Sequence, residues 1–174
     1  MAKWTIDSAH TETGFSVKHM GLSNVKGSFK TTSGTVTTDE SGKITAVAVS
    51  IDVASIETRI KDRDAHLKSA DFFDAEKYPE IKFESTKITS ADGGDYTIEG
   101  NLTIKETTKP VTFEAEIGAP IDDPYGLKRN AASLNFAIDR RDYGLVWSQS
   151  LANGNLVVGN KIKISVDAEF TLNA

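Results

Sequence analysis

Strict alternation of apolar and polar residues runs through most of this chain, and few folds accommodate it. Ile162, Ile164, Val166, Ala168, Phe170 and Leu172 point one way, while Lys161, Lys163, Asp167 and Glu169 point the other. Tyr96, Ile98, Gly100, Leu102 and Ile104 repeat the pattern, as do Val111–Ile117 and Leu134–Ile138. A period of two is the signature of strands with one buried face. Trp4–Asp7, Thr13–His19, Val25–Thr38, Ile44–Val53 and Ile81–Ile88 read as the earlier strands.

Turn chemistry separates these runs. Asp39–Gly42 and Asp92–Asp95 read as hairpin loops, Lys109-Pro110 opens a strand after a tight connection, and Pro120–Gly126 forms a longer loop. Long strands joined mostly by hairpins give an antiparallel meander, and closing it into a barrel removes the exposed edges. The expected fold is therefore all-β, an antiparallel eight-stranded barrel in one domain over residues 1–174. Such a barrel either fills its interior with side chains or holds one small ligand. Inward Gly100, Ala115 and Ala168 beside Phe113, Phe136 and Phe170 fit both outcomes, and the filled core is the commoner one.

Composition closes off several functions. Leu, Ile, Val and Phe make up about a quarter of the chain, enough to build a core. There is no cysteine, which excludes a disulfide framework, a thiolate metal site and a Cys nucleophile. A net charge of −5 argues against non-specific nucleic-acid binding. No apolar run approaches the roughly 18 residues of a membrane span. The opening Met-Ala-Lys-Trp has no apolar signal region, so the expectation is a cytoplasmic protein.

One stretch departs from the strand pattern. Within residues 63–86, a short helical insert near residues 59–75 brings Leu67, Phe72 and Phe73 together. An interruption of this kind caps or lines an end of the barrel, where ligand cavities open.

The same stretch carries a resemblance. Arg63-Asp64-Ala-His66-Leu67-Lys68-Ser69, Phe72-Phe73-Asp74 and Tyr78-Pro79-Glu-Ile-Lys-Phe83 are similar to the most recognisable segment of the YceI-like proteins. Trp4-Thr-Ile-Asp7-Ser-Ala-His10, Phe15–His19, Val25–Phe29, Ala54–Thr58, Gly100–Ile104, Thr108–Val111 and Arg140–Leu145 extend the likeness over essentially the whole chain. Glu106 departs from it, because many relatives carry Gly in that turn. The resemblance implies a lipocalin-like barrel whose apolar cavity binds a polyisoprenoid chain, such as an isoprenoid quinone or a prenyl phosphate. Many relatives also carry a secretion signal.

On this basis Phe15, Phe29, Leu67, Phe72, Phe73, Phe83, Leu102, Ile104, Phe113, Phe136 and Ile138 are the expected cavity lining. Arg59 and Arg63, in a cluster with Lys61 and Lys68, are the candidate rim cations for a headgroup, although a solvated face paired to Asp62 and Asp64 is the commoner explanation of such a cluster. No catalytic residue, metal site or cofactor is expected. His10, His19 and His66 have no compact zinc spacing, and no Gly-x-Ser-x-Gly elbow occurs. His10 is expected to tie the first strand to a neighbour. Asp139–Asp142 reads as a surface ion-pair turn, with Tyr143, Trp147 and Leu151 covering the barrel end opposite the insert. The leading function is non-catalytic binding, storage or transport of an isoprenoid lipid. The alternatives are an enzyme on a prenyl lipid, with His10 or Asp64 as acid or base, and an interaction or stress module with an incidental cavity. A homodimer is compatible with all three.

Overall fold

The alternating segments become the staves of a barrel in the computed structural model, which describes residues 1–173. In chain order the strands are β1 (Ala2–His19), β2 (Ser23–Phe29), β3 (Thr32–Thr38), β4 (Ile44–Asp52) and the short β5 (Ile56–Glu57). The helix α1 (Lys61–Lys68) follows. Then come β6 (Glu80–Ser90), β7 (Asp95–Ile104), β8 (Thr107–Ile117), the short β9 (Ile121–Asp122), β10 (Lys128–Asp139) and β11 (Lys161–Leu172). Antiparallel pairing runs β1-β3-β4-β6-β7-β8-β10-β11 and returns to β1, closing an eight-stranded ring. Closure satisfies the edges that an open sheet would expose.

Two expected strand limits move, for one reason. The runs Trp4–Asp7 and Thr13–His19 are joined in a single bent strand, whose register on β11 slips between Asp7 and Glu12. The expected Val25–Thr38 strand is broken at Lys30-Thr31, beside that bulge. Ser8 stitches the two irregularities together, its hydroxyl accepting the Thr32 N–H at 3.2 Å. The bend lets β1 pair with β3 over its first half and with β2 over its second. β2 then peels away to pair with β5. Bulges bend strands in this way and raise local twist.

Pro110 lies inside β8 rather than at its start, and the topology explains its tolerance. β8 pairs with β10 only from Ala115 to Ile117, so the edge around Pro110 has no ladder to break. The 3-10 turn Arg140–Tyr143 contacts both strands beside that gap, and Tyr143 is buried. In the β7–β8 turn Lys105 takes the left-handed conformation, with φ 57°. Glu106 does not, so it needs no glycine, and its carboxylate accepts the Tyr78 hydroxyl at 3.3 Å.

The ends of the barrel differ. One end is plugged by Trp4, Ile6, Val36, Ile44 and Phe170, with Trp4 set edge-on to Phe170 at 5.7 Å. The Trp4 indole N–H donates to the Thr38 hydroxyl at 3.2 Å, so a buried aromatic keeps its polar atom satisfied. Outside this plug Arg129 joins Asp7, Asp123 and Glu169. The other end carries α1 and the segment after β10, and the site lies beneath it.

Candidate functional site

The cover is built from residues distant in sequence. α1 has acidic Asp62 and Asp64 in its first turn and His66 and Lys68 in its last, each sign suited to the helix dipole. Asp64 accepts both the N–H (2.8 Å) and the hydroxyl of Thr58, fixing the helix start to the strand before it. After the helix the chain turns back on itself, with the Phe73 N–H donating to Leu67 O at 3.0 Å. This turn sends Phe72 into the core and sets Phe73 edge-on to Phe29 at 5.8 Å. Trp147 comes in from the far side and meets the Phe72 ring at 5.4 Å and the His66 ring at 5.1 Å.

Tyr143 and Trp147 therefore sit at the same end as the helical insert, not opposite it. Leu151 takes no part in the cover and instead donates its N–H to Asn155 O within its own loop. The two halves of the cover meet because Gly144, at φ 75°, ends the 3-10 turn in the left-handed region and returns Leu145 to the core.

Beneath the cover lies a cavity of about 240 Å³. The apolar residues singled out from the sequence border this cavity. Phe83, Leu102, Ile104 and Phe113 form one wall and are buried against their neighbours. Phe136, on the neighbouring β10, stacks on Phe113 at 4.9 Å and, with Ile138 and Phe15, continues the lining into the adjoining wall of β10, β11 and β1. Leu67, Phe72, Phe73 and Phe29 close the covered end. Sequence reasoning missed part of this lining, notably Val17, Leu134, Ile162, Ile164, Val166 and Ala168. The strict alternation of β11 was the signal that could have found most of them.

The two walls differ in a telling way. Leu134, Phe136, Ile138, Ile162, Ile164 and Val166 face inward, yet each is only half-buried. Their free surface faces the hollow, so this barrel has not filled itself. The polar groups inside are few and satisfied: Thr13 and Thr32 share a hydroxyl hydrogen bond of 2.9 Å.

The expected rim cations stand elsewhere. Arg59 is exposed on a left-handed turn, with φ 74°. Arg63 is half-buried and spends its guanidinium on Thr58, with Nε donating to the hydroxyl at 2.7 Å and Nη2 to the carbonyl. Neither is among the described residues that line the cavity, nor are His10 and Asp64. His10 is not tied to a neighbouring strand; its Nδ1 lies 2.9 Å from Asp7 within the same strand's bulge. Asp7, His10 and Glu169 bring ligand atoms within 4.8 Å of one another. Arg129 Nη1 already holds both carboxylates, at 2.7 and 3.0 Å. That guanidinium, and secondly His10, lowers the Asp7 pKa below the usual aspartate value.

The Asp139–Asp142 turn is only half a surface ion pair. Arg141 does pair with Asp139 at 2.6 Å in the open, and the contact holds the aspartate pKa down to about 2. Arg140 is 2% exposed and points inward. Its Nη1 donates to the carbonyls of Leu145 (2.7 Å) and Trp147 (2.8 Å), and its Nε donates to Gly159 O (2.9 Å). Burial pushes its pKa below the ordinary guanidinium value. The alternation through Leu134, Phe136 and Ile138, carried two residues further, would have placed Arg140 on the inner face.

An antiparallel eight-stranded ring with an apolar hollow and an aromatic cover defines a closed β-barrel with room inside it. The chain belongs to the YceI-like domain family, whose sequence model matches residues 4–170. Protein YceI of Escherichia coli O17:K52:H18 is 39% identical over 140 residues, covering 80% of this chain and 73% of the relative. UPF0312 protein SA2479 of Staphylococcus aureus is 33% identical and spans 99% of both chains. Among solved structures, the Campylobacter jejuni YCEI protein aligns with a TM-score of 0.77 at 32% identity, covering 90% of each chain. A Saccharophagus degradans domain described as polyisoprenoid-binding shares the fold, with a TM-score of 0.76 at 13% identity over 99% of this chain and all of that one.

Proposed function

We propose that the protein binds an isoprenoid lipid without catalysis, holding the chain in the barrel for storage or transport. The observation that carries this reading is the unfilled apolar interior, in which inward side chains of β10 and β11 keep free surface under an aromatic cover. An empty apolar hollow forfeits dispersion contacts that a guest restores. Each buried CH₂ contributes about 0.8 kcal/mol, so about ten of them reach the scale of micromolar affinity before association costs. At about 240 Å³ the cavity lies below the roughly 300–1,000 Å³ of ordinary ligand pockets. It suits a chain of few isoprene units, and a longer one would pass out beneath the cover. The likeness to a domain described as polyisoprenoid-binding supports a branched, unsaturated chain as the guest.

The test is organic extraction of the purified protein followed by mass spectrometry. A prenylated lipid at near-stoichiometric yield is the expected result. A protein that yields none, and takes up none when prenyl lipids are offered, does not have this function.

A further inference from the structure

Apolar side chains stand in the open around the covered end. Leu22, in the turn between β1 and β2, is 82% exposed, Val146 beside Trp147 is 63% exposed, and Ile60 at the entry to α1 is 52% exposed. Their connections meet in one rim. His19 pairs with Val158, and the Met20 N–H donates to Val157 O at 2.9 Å. Arg140 ties that segment, through Gly159 O, to the carbonyls of Leu145 and Trp147, and Trp147 meets His66 of α1. Cations gather on one side of this rim. Ser16 faces outward between Phe15 and Val17, and it pairs with Lys26 of β2 and Lys163 of β11. Lys26, Lys161 and Lys163 border one shallow groove across these strands, with Glu12 and Asp167 at its end toward the plug. Lys18 lies nearer the rim on β1, and Arg59 and Lys61 flank Ile60. All six cations are exposed, and among the described residues none pairs with a carboxylate.

We propose that this rim docks on the surface of an anionic lipid bilayer, with Leu22, Ile60 and Val146 entering the headgroup layer and the lysine side turned to its phosphates. The charge is distributed for that orientation. Across the rim, over β6 and β7, the signs are mixed, with Asp74, Glu76 and Glu106 beside Lys77 and Lys105. At the plug end the β3–β4 and β6–β7 hairpins carry Asp39, Glu40, Asp92 and Asp95 against one lysine, Lys43. A chain of net charge −5 approaches an anionic surface only by presenting a basic face, and this one has a basic face at its mouth. A protein partner fits the face less well. Lysine is depleted at protein interfaces, and here the apolar side chains are separate anchors among lysines rather than one patch. Single apolar anchors ringed by Lys and Arg are what an anionic bilayer surface takes up. Docking also sets the cavity mouth against a source of its guest, a consequence that rests on the lipid-binding reading above.

Flotation with vesicles of phosphatidylcholine alone, and of phosphatidylcholine mixed with phosphatidylglycerol, tests the docking. The mixed vesicles should bind the protein about tenfold tighter or more, and the gap should close at high salt. Each Lys or Arg near an anionic surface strengthens binding roughly fivefold, so Lys26→Gln with Lys163→Gln should lose about tenfold or more. Leu22→Ser with Val146→Ser should weaken binding about tenfold through lost apolar insertion. These side chains are exposed, so melting temperatures should stay at the wild-type value. Ile121→Ser with Tyr125→Ser, exposed at the plug end, should change nothing. Equal binding to both vesicles, binding to neither, or an equal loss from the plug-end pair overturns the proposal. A dimer broken by Leu22→Ser with Val146→Ser, in a protein that ignores vesicles, gives the rim to a second copy and overturns it too. Uptake of a fluorescent prenyl lipid from cyclodextrin, without vesicles, keeps the two readings apart. Uptake without vesicle binding removes the docking and leaves lipid binding intact, whereas vesicle binding without uptake keeps the docking and removes the lipid-binding reading.

Discussion

Gly27 is the floor on which Phe15 rests. A Cβ there would lie 2.4 Å from Phe15 Cζ and 2.8 Å from Thr58 Cγ2. Phe15 lines the cavity, and a side chain at Gly27 would press it inward, so Gly27→Ala should cost about 1–3 kcal/mol of stability and about tenfold in prenyl-lipid affinity. Gly100 is different. A Cβ there meets the Glu84 carbonyl at 2.5 Å as well as the Phe83 ring, so its alanine variant should lose stability through backbone strain. Thermal melts beside ligand titrations separate the two. Asp139 caps the 3-10 turn that positions Arg140, accepting the Arg141 N–H at 2.9 Å. Asp139→Asn keeps the cap but loses the charge that pairs with Arg141, so it should cost about 0.5 kcal/mol, the scale of an exposed ion pair. Its lowered pKa fixes the sign of the acid effect. The contribution is full above the ordinary aspartate value of 3.8 and is lost as pH falls through about 2. Acid unfolding curves of wild type and variant should therefore converge toward pH 2; curves that stay parallel contradict the assignment.

The cover is the element on which access depends. Phe72 is buried and Trp147 half-buried, and both rings meet His66. Phe72→Ala should destabilise the fold by about 3–5 kcal/mol, the range for a deleted core aromatic. Trp147→Ala should cost less stability and instead speed lipid release, read by stopped-flow exchange of a fluorescent prenyl probe. Unchanged release would show that lipids leave by another route. The strands and the insert were legible in the sequence because alternation and its interruption are local patterns. The meeting of Phe72 with Trp147 was not, since which loops share a barrel end depends on ring closure and on the bend in β1. Arg140 was hidden by its company: Asp-Arg-Arg-Asp reads as solvated surface unless the inward parity of Ile138 is carried through it.

At the scale of the whole molecule, a ring of eight strands leaves the choice between a filled and a hollow interior to side-chain volume. Here small residues meet across β10 and β11, where Ala132 pairs with Ala168 and both face the cavity. Large and small residues alternate in sequence whether they interdigitate or leave space, so composition alone could not decide. Ala168→Phe should occupy the hollow, abolish prenyl-lipid binding and hold or raise the melting temperature, because it adds apolar contacts within the cavity. A large loss of stability would mean that the interior is already full. The most direct measurement is a crystal structure of the protein grown with farnesylacetone. A continuous chain between the half-buried wall of β10–β11 and the Phe72–Trp147 cover is the predicted result. A ligand bound only outside the barrel, with side chains collapsed into the hollow, would contradict it.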